Sequence, residues 1–145
     1  MTMKDKNYHK TLTVHAAADE ALRKISQISW WQKHFSGSAN QPGDRFRVPF
    51  GAPSFVDFVV AELIPKKKLV WEVTGCHLHW FGDKKEWLDT RLVFELSEQN
   101  RRTIVEFTHV GLTPEKECFE ACQKGWDGHL TDLAHFIDEA KSMSL

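Results

Sequence analysis

Cys118 and Cys122 stand four residues apart, with His109 just upstream, and one residue separates His77 from His79. Thiolate sulfur and imidazole nitrogen are the usual ligands of tetrahedral zinc. An i,i+4 pair on a helix, or an i,i+2 pair on a strand, puts both donors on one face. Against a metal, C-x-x-x-C and H-x-H match no recognised finger spacing, and cysteine is among the residues most often buried for packing alone. The same i,i+4 spacing suits a disulfide poorly. The cysteines therefore read as reduced thiols in the wall of a pocket, with no metal and no other cofactor expected.

Catalytic signatures are missing from the chain: it has no G-x-S-x-G elbow, no Gly-rich phosphate loop and no H-E-x-x-H. An enzyme built on it would take its acid or base from His109 or Glu62. His109 alternates with Val105 and Phe107 on what reads as the inner face of a strand. Two roles stay open for it: a core histidine bonded to backbone near Gly111, or a polar contact for a ligand headgroup at the end of an apolar cavity.

Six tryptophans are an excess for this length. Trp71 and Trp126 are expected to face each other across the interior, and Trp30 and Trp31 to lie near a cavity mouth. Trp87 falls on the opposite parity from Leu92 and Phe94, which predicts exposure or a contact surface.

The elements that position these residues can be read from periodicity. Residues 8 to 15 alternate with period two, as a half-buried strand does. Ala18, Leu22, Ile25 and Ile28 recur at helical steps behind Asp19 and Glu20, and SWWQKHF, residues 29 to 35, adds a further helical turn. From Asp44 onward, five segments rich in β-branched and aromatic residues are separated by turn signals, as in an antiparallel meander. The run Lys66, Lys67, Lys68 beside Pro65 reads as a solvated hairpin tip. After Gly111, Thr113 with Pro114 predicts the start of a helix reaching about Lys141. On it, Phe119, Cys122, Trp126, Leu130, Leu133, Ile137 and Ala140 form one apolar stripe.

Length and composition agree with this. The 145 residues, 41% apolar and 27% charged, suit one domain, with an ordered core over about 8 to 141. A formal net charge of −1 gives no footprint for nucleic acid. No signal-peptide stretch and no run of eighteen apolar residues is present, so a cytoplasmic protein without a membrane span is expected.

The Trp30-Trp31 pair, ELIPKKKLVWEV at 62 to 73, KEWLDTRLVFEL at 85 to 96 and FTHVGLTPEKECFEACQKGW at 107 to 126 together carry a resemblance. The chain resembles the START-like (SRPBCC, Bet v 1-like or helix-grip) superfamily, in the branch similar to the activator of the heat-shock protein 90 ATPase. It departs from the family in having Ala17-Ala18 where a Pro usually precedes the first helix. The resemblance spans roughly residues 8 to 141. It implies an α+β fold in which a curved antiparallel sheet of six to seven strands wraps a long C-terminal helix, with two short helices after the first strand.

For function, the resemblance implies non-catalytic binding of an apolar or amphipathic small molecule between sheet and helix, by a monomer or homodimer. The cavity candidates are Trp30, Trp31, Trp71, His77, His79, Phe107, His109, Cys118, Cys122 and Trp126. A protein-interaction module related to the heat-shock ATPase activators is the alternative, and a START-like cyclase or hydrolase the second.

Overall fold

The computed structural model describes residues 7–51, 53–78, 87–116 and 119–143, the last five by backbone alone. His79 and Cys118 lie outside the described residues, as do the expected FGDKK turn and the side chain of Ala140. The elements are β1 (Tyr8–Val14), α1 (Ala18–Ile25), β2 (Ser36–Gly37), β3 (Arg45–Pro49), β4 (Phe55–Ile64), β5 (Lys68–His77), β6 (Arg91–Gln99), β7 (Arg102–Val110) and α2 (Phe119–Met143). The strands form one antiparallel sheet in the order β1-β7-β6-β5-β4-β3-β2. This is the α+β helix-grip architecture.

Alternation of side chains builds the inner face. Tyr8, Leu12 and Val14, Phe46 and Val48, Val56, Phe58 and Val60, Leu92, Phe94 and Leu96, and Val105 and Phe107 are all buried. Against them lie Trp126, Leu130, Leu133 and Ile137 of α2, at 1% exposure or less. Trp71 and Trp126 are joined by an aromatic column: Trp71 to Phe94 at 5.0 Å, Phe94 to Phe107 at 5.0 Å, and Phe107 to Trp126 at 4.6 Å. α2 is tied to β1 and the residue after it, because the Tyr8 hydroxyl donates to Asp127 at 2.6 Å and the His15 backbone N–H donates to Asp138 at 2.9 Å. Burial and the Asp127 carboxylate hold the Tyr8 phenol protonated well above its ordinary range.

Three expectations are corrected. SWWQKHF is a series of turns: Ile28 takes φ +57°, which a helix does not continue through, and the Trp31 N–H then bonds back to Ile28 O at 2.8 Å. One helix, α1, comes after β1. Its N-terminal Ala17 has no side chain to cap with, and Glu98 of β6 reaches across to accept from the Ala18 N–H at 2.8 Å.

The C-terminal helix also starts later than Thr113. Leu112 is held from both sides, donating to His109 O and accepting from Tyr8 N–H. Thr113 and Pro114 then enter a turn closed by Lys116 N–H to Thr113 O at 2.9 Å.

The third correction is at β5. Its register against β4 shifts between the pairs Asp57–Gly75 and Phe58–Val73. One extra residue there sends every later side chain to the other face. Cys76 and Leu78 therefore point inward, and His77 lies on the outer face, stacked on Phe55 at 6.2 Å.

Candidate functional site: two histidines on either side of Trp126

His109 lies in β7 between Tyr8 of β1 and Leu92 of β6, and it is fully buried. Its ring is bonded at both nitrogens. The Trp126 Nε1–H donates to His109 Nδ1 at 3.1 Å, and His109 Nε2 lies 2.8 Å from Thr90 Oγ1. Thr90 Oγ1 in turn donates to the Trp87 carbonyl at 2.6 Å. An acceptor at Nδ1 requires the proton at Nε2, so every donor in this relay has one acceptor. Burial, with the charge of Lys116 adding to it, pushes the imidazole pKa down to about 3, so the ring is neutral near pH 7. One of the two roles that the sequence leaves open is a bond to backbone near Gly111; in the structure this side-chain relay engages both ring nitrogens instead. Gly111 has its own part in the corner: at φ +103° a Cβ there would meet Thr90 Cγ2 at 2.7 Å.

Beyond Trp126 the packing opens. A cleft of about 120 Å³ separates Phe50, Leu78 and Trp87 of the sheet side from Cys122, Gly125, Trp126 and His129 of α2. Ala121 borders it and is exposed, so the cleft meets solvent there. Trp87 stacks on Trp126 at 5.7 Å and its Nε1–H donates to Cys122 Sγ at 3.3 Å. Gly125 has ordinary helical backbone, and a Cβ built on it meets nothing within 4 Å. Neither a turn nor a close approach requires glycine at this position. What the missing side chain leaves is room in the cleft.

His129 closes the α2 side, in contact with Trp31 at 5.9 Å and Trp126 at 6.1 Å between ring centres. Burial lowers its pKa, while Asp132 pulls the other way. Its two ring nitrogens have no hydrogen-bond partner among the described residues.

The predicted site residues are thus separated. Cys122 and Trp126 line the cleft. Trp31 packs behind it on Phe50, Trp126 and His129, and Trp30 stacks on Trp31 while donating its Nε1–H to Ile25 O at 2.8 Å. Trp71 and Phe107 are core. Glu62 is exposed and lies 3.5 Å from Lys68, apart from His109, so the two acid-base candidates share no site. Trp87, expected at the surface, is 6% exposed and contacts His109 at 4.7 Å.

Sequence reasoning missed Phe50, Leu78, Trp87, Ala121, Gly125 and His129 as cleft residues. For His129 a signal was present: it comes seven residues after Cys122 and three after Trp126, and so shares their helix face. Among the described residues no three His, Cys, Asp or Glu side chains are grouped to hold a metal ion, and no helix is long and apolar enough to cross a membrane.

A sheet curled around one long helix, with a cleft where the two diverge, defines the helix-grip class of domains. Within that class the chain belongs to the family described as Activator of Hsp90 ATPase homolog 1-like protein, whose sequence model matches residues 20–138. No curated protein matches it. Among solved structures it is similar to the Aha1 dimer from Colwellia psychrerythraea, at 23% identity and TM-score 0.75, over 91% of this chain and 96% of that one. It is also similar to protein MLL2253 from Mesorhizobium loti, at 17% identity and TM-score 0.72, over 91% and 98%. CalU16 from Micromonospora echinospora shares the fold at 18% identity and TM-score 0.63, over 94% and 79%.

Proposed function

We propose that this protein is a non-catalytic receptor for a small, mainly apolar molecule seated in the cleft between the sheet end and the start of α2. The observation that carries the reading is the cleft itself, apolar on the sheet side and widened on the helix side by Gly125. A helix-interior glycine costs about 1 kcal/mol relative to alanine. At Gly125 the space left by the missing side chain opens into the cleft, whereas Gly128, equally unhindered, is not among the lining residues. The volume of about 120 Å³ is close to that of an engineered cavity of roughly 150 Å³ that takes up benzene. It accommodates a ring-sized group and is far too small for an alkyl chain of lipid length. His109 has no part in binding, because both of its nitrogens are already engaged inside the protein.

Toluene is a suitable first probe, followed through the indole N–H signals of Trp87 and Trp126 in two-dimensional NMR. Saturable shifts of both signals are expected in the wild type, and their loss in Gly125→Leu, whose Cβ meets no neighbour within 4 Å and whose longer side chain is expected to occupy the cleft. Shifts that never saturate, or that persist unchanged in Gly125→Leu, remove the cleft as the site.

A second reading is a protein-interaction module, favoured by the family and by the dimeric state of the Colwellia relative. Ile64, at 41%, is the one exposed large apolar side chain among the described residues. A concentration-dependent change of mass in sedimentation, unaffected by Gly125→Leu, is the result that favours this reading.

A further inference from the structure

The cleft contains more polar groups than it has available to a ligand. Both indole N–H groups on its wall are spent within the protein, Trp126 on His109 and Trp87 on Cys122. The Cys122 sulfur is the acceptor of that second bond. Among the described residues, the remaining polar side chain in the lining is the imidazole of His129.

Its ring packs against Trp31 and Trp126, which reduces the side-chain freedom lost when something bonds to it. Beside it, the buried Nε1–H of Trp31 has no partner among the described residues, as is also true of Trp71 in the core. A buried donor left unpaired is costly, and native proteins rarely keep one without a reason.

We propose that His129 is the polar anchor of the cleft and selects a ring-sized apolar molecule bearing one uncharged hydroxyl, with phenol the simplest member of the class. This rests on the cleft being a binding site.

The chemistry decides among the possible substituents. A neutral imidazole offers one N–H and one lone pair, and a hydroxyl can answer either. Among the described residues the lining has no cation to meet a carboxylate and no carboxylate to meet an ammonium, so either charge would enter an apolar wall unpaired. A ring without a polar substituent leaves the imidazole as it is now. The volume limits the body of the ligand to a single ring, so discrimination falls on the substituent.

The test compares phenol, toluene and benzoate on the full chain, read from the Trp87 and Trp126 indole signals. In the wild type, phenol is expected to bind about tenfold more tightly than toluene, the effect of one hydrogen bond, and benzoate more weakly than phenol. In His129→Phe the preference for phenol over toluene should fall to within about twofold while toluene affinity holds. His129→Gln, which keeps a donor and an acceptor, should restore part of the preference and guards against misfolding as the cause. Equal affinity for phenol and toluene in the wild type overturns the anchor and leaves the cleft standing, as does a preference that survives His129→Phe. Absence of saturable binding by all three probes overturns the cleft, and the anchor with it.

Discussion

Two histidines lie against the same tryptophan, and their surroundings differ most in hydrogen-bond partners. His109 meets Trp126 edge to face at 5.9 Å and has a partner at each nitrogen, whereas His129 meets it at 6.1 Å and has none among the described residues. Burial lowers the pKa of both. A shifted pKa therefore does not separate a structural histidine from an available one, and the hydrogen-bond partners do. His109 holds the corner where β7 ends, and its polarity is consumed in doing so. His129 borders open volume and keeps its polarity for what enters.

Removing the wall between them should have the largest effect. Trp126→Ala empties a fully buried aromatic site and is expected to destabilise by about 3 to 5 kcal/mol, measured by chemical denaturation, with loss of probe binding in whatever fraction stays folded. An unchanged midpoint would mean that the two histidines are not divided by a core residue on which the fold depends.

Next comes the direct contrast. His109→Phe strands the Trp126 donor and removes the proton that Thr90 Oγ1 receives, so a loss of about 2 to 3 kcal/mol is expected. His129→Phe strands nothing and should stay within about 0.5 kcal/mol of wild type. Equal losses at the two positions, measured by the same denaturation, break the distinction.

The effect spread over the widest range of conditions is on pH dependence. An unfolded chain protonates the His109 imidazole near pH 6.5, whereas the folded chain does so only near 3. Between those values the unfolded state holds the extra proton, so stability falls as pH is lowered through that window and is independent of this group above it. The slope reaches at most about 1.4 kcal/mol per pH unit. Urea midpoints from pH 7 to 4 should show a shallower decline in His109→Gln than in the wild type, and parallel curves would refute the assignment.

The sequence made the scaffold legible and left much of the cleft hidden, for identifiable reasons. The apolar stripe through Trp126, Leu130, Leu133 and Ile137 is a local pattern, and tertiary packing leaves it intact. Alternation within strands likewise placed Val105, Phe107 and His109 on the inner face. Parity carried across an irregularity failed. The register shift near Gly75 turned His77 outward. Trp87 belongs to a turn in which Asp89 takes φ +67°, so counting back from Leu92 along a strand misplaced it. The boundary of α2 was lost for another reason: Thr113 and Pro114 suit a helix start by residue type, but Leu112 is anchored by non-local bonds to β1 and β7. The cleft draws Phe50, Leu78 and Trp87 from separate parts of the chain, and no spacing rule connects them.

The relay from Trp126 through His109 and Thr90 to the Trp87 carbonyl has a direction, since each member gives its hydrogen to the next. The imidazole accordingly has a single tautomer, with its Nε2 hydrogen shut away from water. Such a hydrogen is a clock. It can leave only when the corner unzips, so the lifetime of its magnetic-resonance signal in deuterated solvent reports how often β7 and the Trp87 turn part company. That opening can be timed at one atom, without a ligand and without altering a residue.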